Sequence, residues 1–405
     1  MVSRAIAEGI WAFVRVCSAV LVGVMLAVVL VGCGGHATAP HAALSVSSPR
    51  PLADTAIEVR ASGLEPGSSV TLNATWTGYG GVRAASSQAI RADRTGRLDL
   101  RGFEGMRTLW DMHVTPAQAS FTIPAPGDAP VDLALVSAGK TVARAVVHRR
   151  AANRAVRVQT LSRARDGLVG FFLSPAASGT RRPAVMVLGG SEGGVEGVDI
   201  AALLASHGYP ALALGYFGLP GLPRTLARIP LEYFQRALRW LGRQPSVDPG
   251  RLVMMGISRG GEAALLAAGT FPSLVHATVA LVTSSEVLPA LDRSSVAWTY
   301  RRKPIPLAPI PVERARGAIL VAGAGKDAIV PSSTYAKQIE QRLEDHHFAY
   351  FHQRLDYPDA GHDLGSAIPY FPQPDPAHYG GSPRATALAK TELWPRILDF
   401  LDNHA

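Results

Sequence analysis

A serine in a Gly-x-Ser-x-Gly motif is the residue of this sequence best suited to act as a nucleophile. Ser258 has Gly256 two residues before it and Gly260 two residues after it. The apolar run 252–255 precedes the motif, and the helix-forming run 262–268 follows it. A sharp turn from strand to helix pushes a serine hydroxyl out of the backbone, and small neighbours leave room for that turn. The pattern therefore predicts a serine nucleophile between a strand and a helix.

A second copy of the motif surrounds Ser191, directly after the apolar run 185–188. It continues into Gly194 and Gly197, so no helix is expected to begin at once. In serine hydrolases the residue after the nucleophile gives one backbone N–H to the oxyanion hole, and the loop after an early strand gives another. We therefore expect the N–H groups of Ser191 and Arg259 to bind the oxyanion. The alternative for Ser191 is a plain glycine-rich turn.

The two partners of the serine should follow it in the order acid, then histidine. Asp327 follows the apolar run 318–322 through a glycine-containing loop, at the carboxyl end of a predicted strand. His362 lies further on, and of the twelve histidines it alone has this setting. The histidine would move the serine's proton, and the acid would fix the imidazole tautomer. We expect Ser258, Asp327 and His362 to form a catalytic triad. Three rival acids share the histidine's own segment and lie too near it in the chain: Asp356, Asp359 and Asp363.

The sequence predicts neither a metal site nor a cofactor. It has no His-Glu-x-x-His motif, no EF-hand loop, and no His and Asp residues clustered at ligand spacing. The glycine-rich loop 189–197 does not have the Gly-Lys-Ser/Thr ending of a phosphate-binding P-loop. The protein's own side chains and backbone groups are expected to carry the chemistry.

From about residue 159 to the C-terminus, apolar strand-like runs alternate with helical patterns. The strand-like runs are 183–188, 211–214, 252–255, 278–282 and 318–322, and the helical ones are 200–207, 231–241 and 262–268. Fully apolar strands joined by helices are typical of a parallel sheet that is covered on both faces. With the serine motif, this pattern predicts an α/β-hydrolase domain, with a mainly parallel sheet, over 159–405.

Residues 52–150 have an all-β pattern. Alternating runs at 56–60, 69–76 and 131–136 are separated by turn residues. Alternation with period two and regular turns favours an antiparallel sandwich. We expect an immunoglobulin-like β-sandwich domain here, without a cluster of acids, bases or metal ligands.

The first 33 residues have the features of an export signal. Arg4 and Arg15 precede a long apolar run that ends in Leu-Val-Gly-Cys. This ending resembles the lipobox of bacterial lipoproteins, which implies that Cys33 becomes the lipidated first residue of the mature protein. The alternative is an uncleaved, single transmembrane helix. Either anchor would hold the rest of the chain outside the cytoplasm, with residues 34–51 as a flexible spacer.

Composition sets further limits on function. The 405 residues carry a formal net charge of +9, and 47% of them are apolar, enough for a sizeable core. The basic residues are scattered, and no zinc-ligand, helix-turn-helix or RNA-binding signature is present, so we expect no nucleic-acid partner. The two cysteines, Cys17 and Cys33, lie in or beside the N-terminal apolar run. The rest of the chain therefore has neither a disulfide nor a cysteine nucleophile.

Several segments are similar to the acyl-CoA thioesterases related to bile acid-CoA:amino acid N-acyltransferase. They are residues 105–110, 231–234, 256–262, 310–315, 357–362 and 381–385. The resemblance spans roughly residue 52 to the end and implies a β-sandwich followed by an α/β-hydrolase domain. By position, the family's nucleophile, acid and base fall on Ser258, Asp327 and His362. Members that conjugate amino acids have a cysteine nucleophile, so the serine favours hydrolysis. The acid departs from the family's usual Gly-x-Asp-Asp context, since 323–327 read Gly-Ala-Gly-Lys-Asp.

We therefore expect a serine hydrolase that cleaves a small-molecule acyl thioester through an acyl-serine intermediate. Acyl-CoA is a cytoplasmic metabolite, so the export signal keeps an extracytoplasmic carboxylic ester open as the substrate. Transfer of the acyl group to an amine acceptor is a further alternative. A lipoprotein whose sandwich binds a partner beside a degenerate hydrolase domain is an alternative of a different class.

Overall fold

The computed structural model describes residues 41–116, 121–123, 127–176, 179–293 and 295–405. The export signal predicted over 1–33, including Cys33, and the first part of the predicted spacer lie outside these residues. The described residues belong to one compact unit. None of their helices is both long enough and apolar enough to cross a bilayer.

Two antiparallel sheets form the N-terminal part. Their strands are β1 (Ala43–Val46), β2 (Val59–Ser62), β3 (Ser69–Thr77), β4 (Arg83–Arg91), β5 (Leu98–Leu100), β6 (His113–Thr115), β7 (Asp128–Ser137) and β8 (Lys140–Arg150). The first sheet has the order β1-β2-β5, and the second has the order β6-β4-β3-β7-β8. Two short helices, α1 (Gly102–Gly105) and α2 (Arg107–Trp110), and a 3₁₀ turn at Tyr79–Gly81 complete this part.

The alternating sequence explains how these strands pack. Along β3, the buried residues Val70, Leu72, Ala74 and Trp76 alternate with residues that are exposed or partly exposed. The inward residues of both sheets belong to one buried cluster. Since successive side chains of a strand point to opposite faces, this gives each sheet one buried side. The predicted antiparallel sandwich is confirmed.

The flexible spacer predicted over 34–51 is wrong in its second half. Strand β1 pairs with β2, and the backbone N–H of His148 donates to the carbonyl of Pro49. Leu44 and Val46 pack against the core of the sandwich. Leu44 and Val46 alternate with small or polar residues, so the strand has one apolar face. The alternation is short, and the surrounding Ala, Ser, His and Pro residues resemble a spacer, so the sequence did not indicate a strand here.

An eight-stranded sheet organises the C-terminal part. In chain order the strands that follow are β9 (Arg157–Leu161), β10 (Val169–Ser174), β11 (Arg182–Leu188), β12 (Ala211–Gly215), β13 (Ile229–Pro230), β14 (Val247–Ile257), β15 (Ala277–Leu281), β16 (Trp298–Tyr300), β17 (Lys303–Pro304), β18 (Ala318–Ala324) and β19 (His352–Tyr357). The large sheet has the order β19-β18-β15-β14-β11-β12-β10-β9, and β13, β16 and β17 form a small separate one. The strands of the large sheet are parallel except at β10, which is antiparallel to both of its neighbours, β12 and β9. This is the strand order of the α/β-hydrolase fold, as predicted.

Helices cover both faces of the large sheet. They are α3 (Arg163–Asp166), α4 (Val198–Ser206), α5 (Leu231–Leu241), α6 (Arg259–Thr270), α7 (Ser332–Asp345), α8 (Pro376–Tyr379) and α9 (Pro383–His404), with 3₁₀ turns at Val312–Arg314 and His362–Ser366. Successive residues of β11 belong to opposite cores: Val185 and Val187 pack with α4 and α9, whereas Met186 and Leu188 pack with α5 and α6. Burial on both faces explains why the parallel strands are continuously apolar.

Candidate active site

Ser258 lies at the turn between β14 and α6. Its φ is 53° and its ψ is −117°, a conformation that L residues rarely adopt and that surrounding structure must hold in place. Its backbone N–H donates to the carbonyl of Leu281 at 2.9 Å. Its carbonyl accepts from the hydroxyl of Thr283 at 2.7 Å. These bonds hold the strained backbone while the residue lines a cavity.

The two glycines of the motif are required by close backbone contacts. A Cβ on Gly256 would lie 2.1 Å from the carbonyl oxygen of Gly260. A Cβ on Gly260 would lie 2.4 Å from the carbonyl oxygen of Gly189, in the loop after β11. Both distances are far below van der Waals contact, so the turn can pack against the neighbouring strand only without these side chains.

Asp327 and His362 are in direct contact. Asp327 follows β18, His362 begins the 3₁₀ turn after β19, and their Oδ2 and Nδ1 atoms are 2.8 Å apart. A carboxylate can only accept, so Nδ1 carries the proton in this bond. The other ring nitrogen, Nε2, is then free to accept a proton, as a general base must be. Two of the three side chains predicted to act together are therefore hydrogen-bonded.

The Asp327 carboxylate is buried and fully bonded. Its side chain has no exposed surface. Oδ1 accepts from the backbone N–H groups of Ile329 at 2.9 Å and Val330 at 3.1 Å, and Oδ2 accepts from the Ser332 hydroxyl at 2.6 Å. These bonds from the loop and from Ser332 fix the orientation of the carboxylate towards His362.

The rival aspartates have other partners or point to solvent. Asp356 accepts from the Ser333 hydroxyl at 2.7 Å, and Asp359 is exposed. Asp363 makes an ion pair with Lys390, whose side chain is fully buried. Burial raises the pKa of the Asp363 carboxyl, and the Lys390 ammonium opposes this rise. Of the acids considered from the sequence, the geometry joins Asp327 to the histidine.

Ser258 and His362 line the same cavity, which has a volume of about 990 Å³. This is the size of a pocket for a large small-molecule ligand. Its apolar lining in the C-terminal part includes Leu161, Val169, Phe171, Val195, Ile257 and Ile368. The N-terminal part adds Tyr79, Phe121 and Ile123, a contribution that no sequence pattern predicts. The arrangement can receive an apolar group beside a serine and a histidine.

Ser191 lines this cavity too, and Arg259 is the first residue of α6. The N–H groups of a helix's first turn have no intrahelical partner, so the Arg259 N–H is suited to bind an anion. The Arg259 guanidinium has other partners, away from the oxyanion. It donates to the carbonyls of Leu288 and Pro289 at 3.2 and 3.0 Å and forms a buried ion pair with Glu262.

Three acidic residues on the cavity wall were missed from the sequence: Glu192, Glu196 and Asp199. Burial raises the pKa of the Glu196 carboxyl to about 8, and the neighbouring Glu192 adds to the rise. Burial also raises the pKa of Asp199 to about 6. The sequence feature that could have indicated them is the pair of glutamates, four residues apart, in the glycine-rich loop 189–197. Within the described ranges, no group of three or more His, Cys, Asp or Glu side chains is arranged to hold a metal ion.

Two family profiles match the sequence. One, described as "BAAT / Acyl-CoA thioester hydrolase C terminal", matches residues 229–294 and 290–405, which include Ser258, Asp327 and His362. The other, "Acyl-CoA thioester hydrolase/BAAT N-terminal region", matches residues 54–163.

Curated proteins of similar sequence are named as acyl-coenzyme A or succinyl-coenzyme A thioesterases. Acyl-coenzyme A thioesterase 6 of Mus musculus is 28% identical, over 87% of this chain and 94% of its own length. Acyl-coenzyme A thioesterase 1 of Homo sapiens is 27% identical over the same shares. The peroxisomal succinyl-coenzyme A thioesterase of Mus musculus is also 27% identical over 87% and 94%.

Proposed function

This chain belongs to the acyl-CoA thioester hydrolase/BAAT family, and on that premise we propose that it hydrolyses acyl thioesters through an acyl-serine intermediate. The observation that carries the proposal is the hydrogen bond between Asp327 and His362, together with the cavity that His362 and Ser258 both line. Hydroxyl, imidazole and carboxylate are the three groups that nucleophilic catalysis by serine requires.

In the proposed reaction the Ser258 hydroxyl attacks the thioester carbonyl while His362 Nε2 takes its proton. The N–H groups of Ser191 and Arg259 bind the oxyanion. The C–S bond then breaks, His362 returns the proton to the leaving thiolate, and the acyl group remains on the serine. Water, deprotonated by the same histidine, releases the carboxylic acid and restores the enzyme. Asp327 fixes the imidazole tautomer and stabilises the imidazolium in both steps.

The apolar residues that line the cavity favour a substrate with an apolar acyl group. Side chains such as Phe121, Phe171 and Ile368 can cover an aliphatic or ring-containing acyl chain and remove its surface from water. The second candidate substrate is a carboxylic ester outside the cytoplasm, which the export signal predicted over 1–33 favours, and the same catalytic residues would cleave it.

The test uses the detergent-solubilised full-length protein with an acyl-CoA and the p-nitrophenyl ester of the same acid, each with and without glycine or taurine. We expect free thiol and free carboxylic acid in equal amounts, with no change when an amine is added. An N-acyl amino acid among the products would contradict hydrolysis in favour of transfer. Turnover of the ester alone would contradict the thioester in favour of the second candidate.

We also propose that a lipid on Cys33 holds the chain to a membrane outside the cytoplasm. The support is the lipobox-like ending of the apolar run. In a bacterial host supplied with an alkyne-tagged fatty acid, we expect the protein to be labelled and the Cys33→Ser variant to lose the label. Cys17→Ser is the matched control and should keep it. A protein that stays in the membrane with residues 1–33 attached and unlabelled would contradict the lipid in favour of a helical anchor.

A further inference from the structure

The loop after β11 is held against the nucleophile by two side chains outside the triad. Glu196 Oε2 accepts the backbone N–H of Gly190 at 2.6 Å. The Tyr216 hydroxyl lies 2.8 Å from the carbonyl oxygen of Gly189 and 2.9 Å from that of Gly190. A Cβ added to Gly190 would lie 3.5 Å from the Cβ of Ser258, so the clamped segment touches the nucleophile. Its position sets where the next N–H in the chain, that of Ser191, can point.

We call the contacts of Glu196 and Tyr216 with Gly189 and Gly190 the clamp. The clamp limits which backbone N–H groups are available to bind the oxyanion. The Gly190 N–H is taken by Glu196, so it cannot bind a substrate oxygen as well. A Cβ on Gly189 would lie 2.3 Å from the Glu196 Cβ, which shows how closely the glutamate covers the loop. Loss of the Glu196 carboxyl would free the Gly190 N–H and let the loop turn, moving the Ser191 N–H from its place.

The carboxyl group of the exposed Glu192 lies beside that of Glu196: a Cβ added to Gly190 would lie 3.1 Å from Glu192 Oε2 and 3.8 Å from Glu196 Oε2. Two carboxyl groups can share a hydrogen bond only while one of them is protonated. Burial and the Glu192 carboxylate raise the pKa of Glu196 to about 8 and outweigh the bond from Gly190, which lowers it. The pair therefore keeps its proton at neutral pH.

The groups that face this pair do not supply a compensating charge. Asp199, at the start of α4, adds to the rise in the pKa of Glu196, and the buried Tyr216 hydroxyl stays neutral. His362 and Asp363 line the same cavity. Among the described lining residues there is no lysine or arginine. When the pair loses its proton to solvent, two adjacent carboxylates repel each other in a partly buried site.

We propose that Glu196, paired with Glu192, is a positioning residue for the reaction: its carboxyl group holds the oxyanion loop against Ser258, and it must be neutral because a second negative charge on the pair would repel the oxyanion that forms beside it. The inference rests on the proposed function. The oxyanion forms mainly in the transition state, so loss of the Glu196 carboxyl group, or ionisation of the pair, should lower kcat much more than it raises KM. Since the neutral form is present below the raised pKa, activity should fall as the pH rises through about 8.

The test compares Glu196→Ala with Glu196→Gln. We expect alanine to lower kcat at pH 7 by about 10²–10³, as when an oxyanion donor is lost. The glutamine oxygen can accept from Gly190 and its amide can donate to Glu192, so glutamine should recover most of that loss. In the wild type kcat should fall above pH 8. In Glu196→Gln it should stay level up to about pH 9.5, because the amide does not ionise.

The inference is overturned if Glu196→Gln keeps the alkaline decline of the wild type, or if Glu196→Ala keeps the wild-type kcat. If alanine prevents folding, the isosteric glutamine variant still decides the matter. Labelling of Ser258 by a fluorophosphonate, followed over the same pH range, separates the two proposals. Labelling without any thioester hydrolysis contradicts the proposed function, and its pH dependence in the two variants then decides the role of Glu196. An unlabelled Ser258 in folded protein overturns both.

Discussion

Ser258→Ala is expected to lower kcat for thioester hydrolysis by about 10⁵–10⁶, with no loss of the folded state. The variant removes the hydroxyl that forms the acyl intermediate, and the remaining activity reflects the oxyanion donors and substrate binding. The fold should persist because alanine keeps the backbone bonds to Leu281 and Thr283 that hold this turn. Thiol release gives the rate, and thermal unfolding gives the stability.

Ser191→Ala is the matched control, since Ser191 occupies the second Gly-x-Ser-x-Gly motif and lines the same cavity. Its proposed contribution is a backbone N–H, which alanine retains. We expect a loss of less than about tenfold, well below that of a deleted oxyanion donor. The opposite result, with Ser191→Ala inactive and Ser258→Ala active, would mean that Ser191 and not Ser258 is the nucleophile.

Asp327→Asn should lower kcat by about 10⁴ near neutral pH while leaving the geometry of the loop largely intact. The asparagine oxygen can still accept from Ile329 and Val330. Its amide group, however, would donate to His362 Nδ1 and so favour the tautomer whose Nε2 carries a proton. That tautomer cannot take the proton of the serine. Steady-state kinetics over a range of pH measures the effect.

Asp359→Asn removes an acid that lies three residues before the histidine and is exposed. It controls for the loss of one negative charge near the site, and we expect its kcat to be close to that of the wild type. Equal rates for Asp327→Asn and Asp359→Asn would show that the hydrogen bond to His362 has no part in catalysis.

The buried part of the fold was predictable, but the edges of the large sheet were not. Strand β19 reads His-Gln-Arg-Leu-Asp-Tyr, because it pairs only with β18 and its side chains are mostly partly exposed. The strand-like runs found in the sequence do not include it, and the apolar run 348–351 just before it forms neither helix nor strand. In the structure Phe351 stacks on His404 of the C-terminal helix. An edge strand needs little apolar sequence, so hydrophobic pattern alone places it poorly.

For the candidate site, the sequence identified residues whose local setting is distinctive. Ser258 has a glycine motif, and Asp327 follows a strand end, which also brings it beside His362. The pairing of Glu192 with Glu196 and the clamp by Tyr216 depend on how a loop closes over a neighbouring strand. The same holds for the wall that Phe121 adds from a distant part of the chain. Apart from the spacing of the two glutamates, contacts of this kind have no local sequence pattern that predicts them.

The most direct measurement is to map, by peptide mass spectrometry, the covalent adduct that a fluorophosphonate forms with the folded protein. A serine made nucleophilic by the hydrogen-bonded pair of His362 and Asp327 should carry a single adduct, at Ser258. The adduct should be absent in Ser258→Ala and should form far more slowly in Asp327→Asn. An adduct on another residue, or an equal rate in Asp327→Asn, would contradict the assignment.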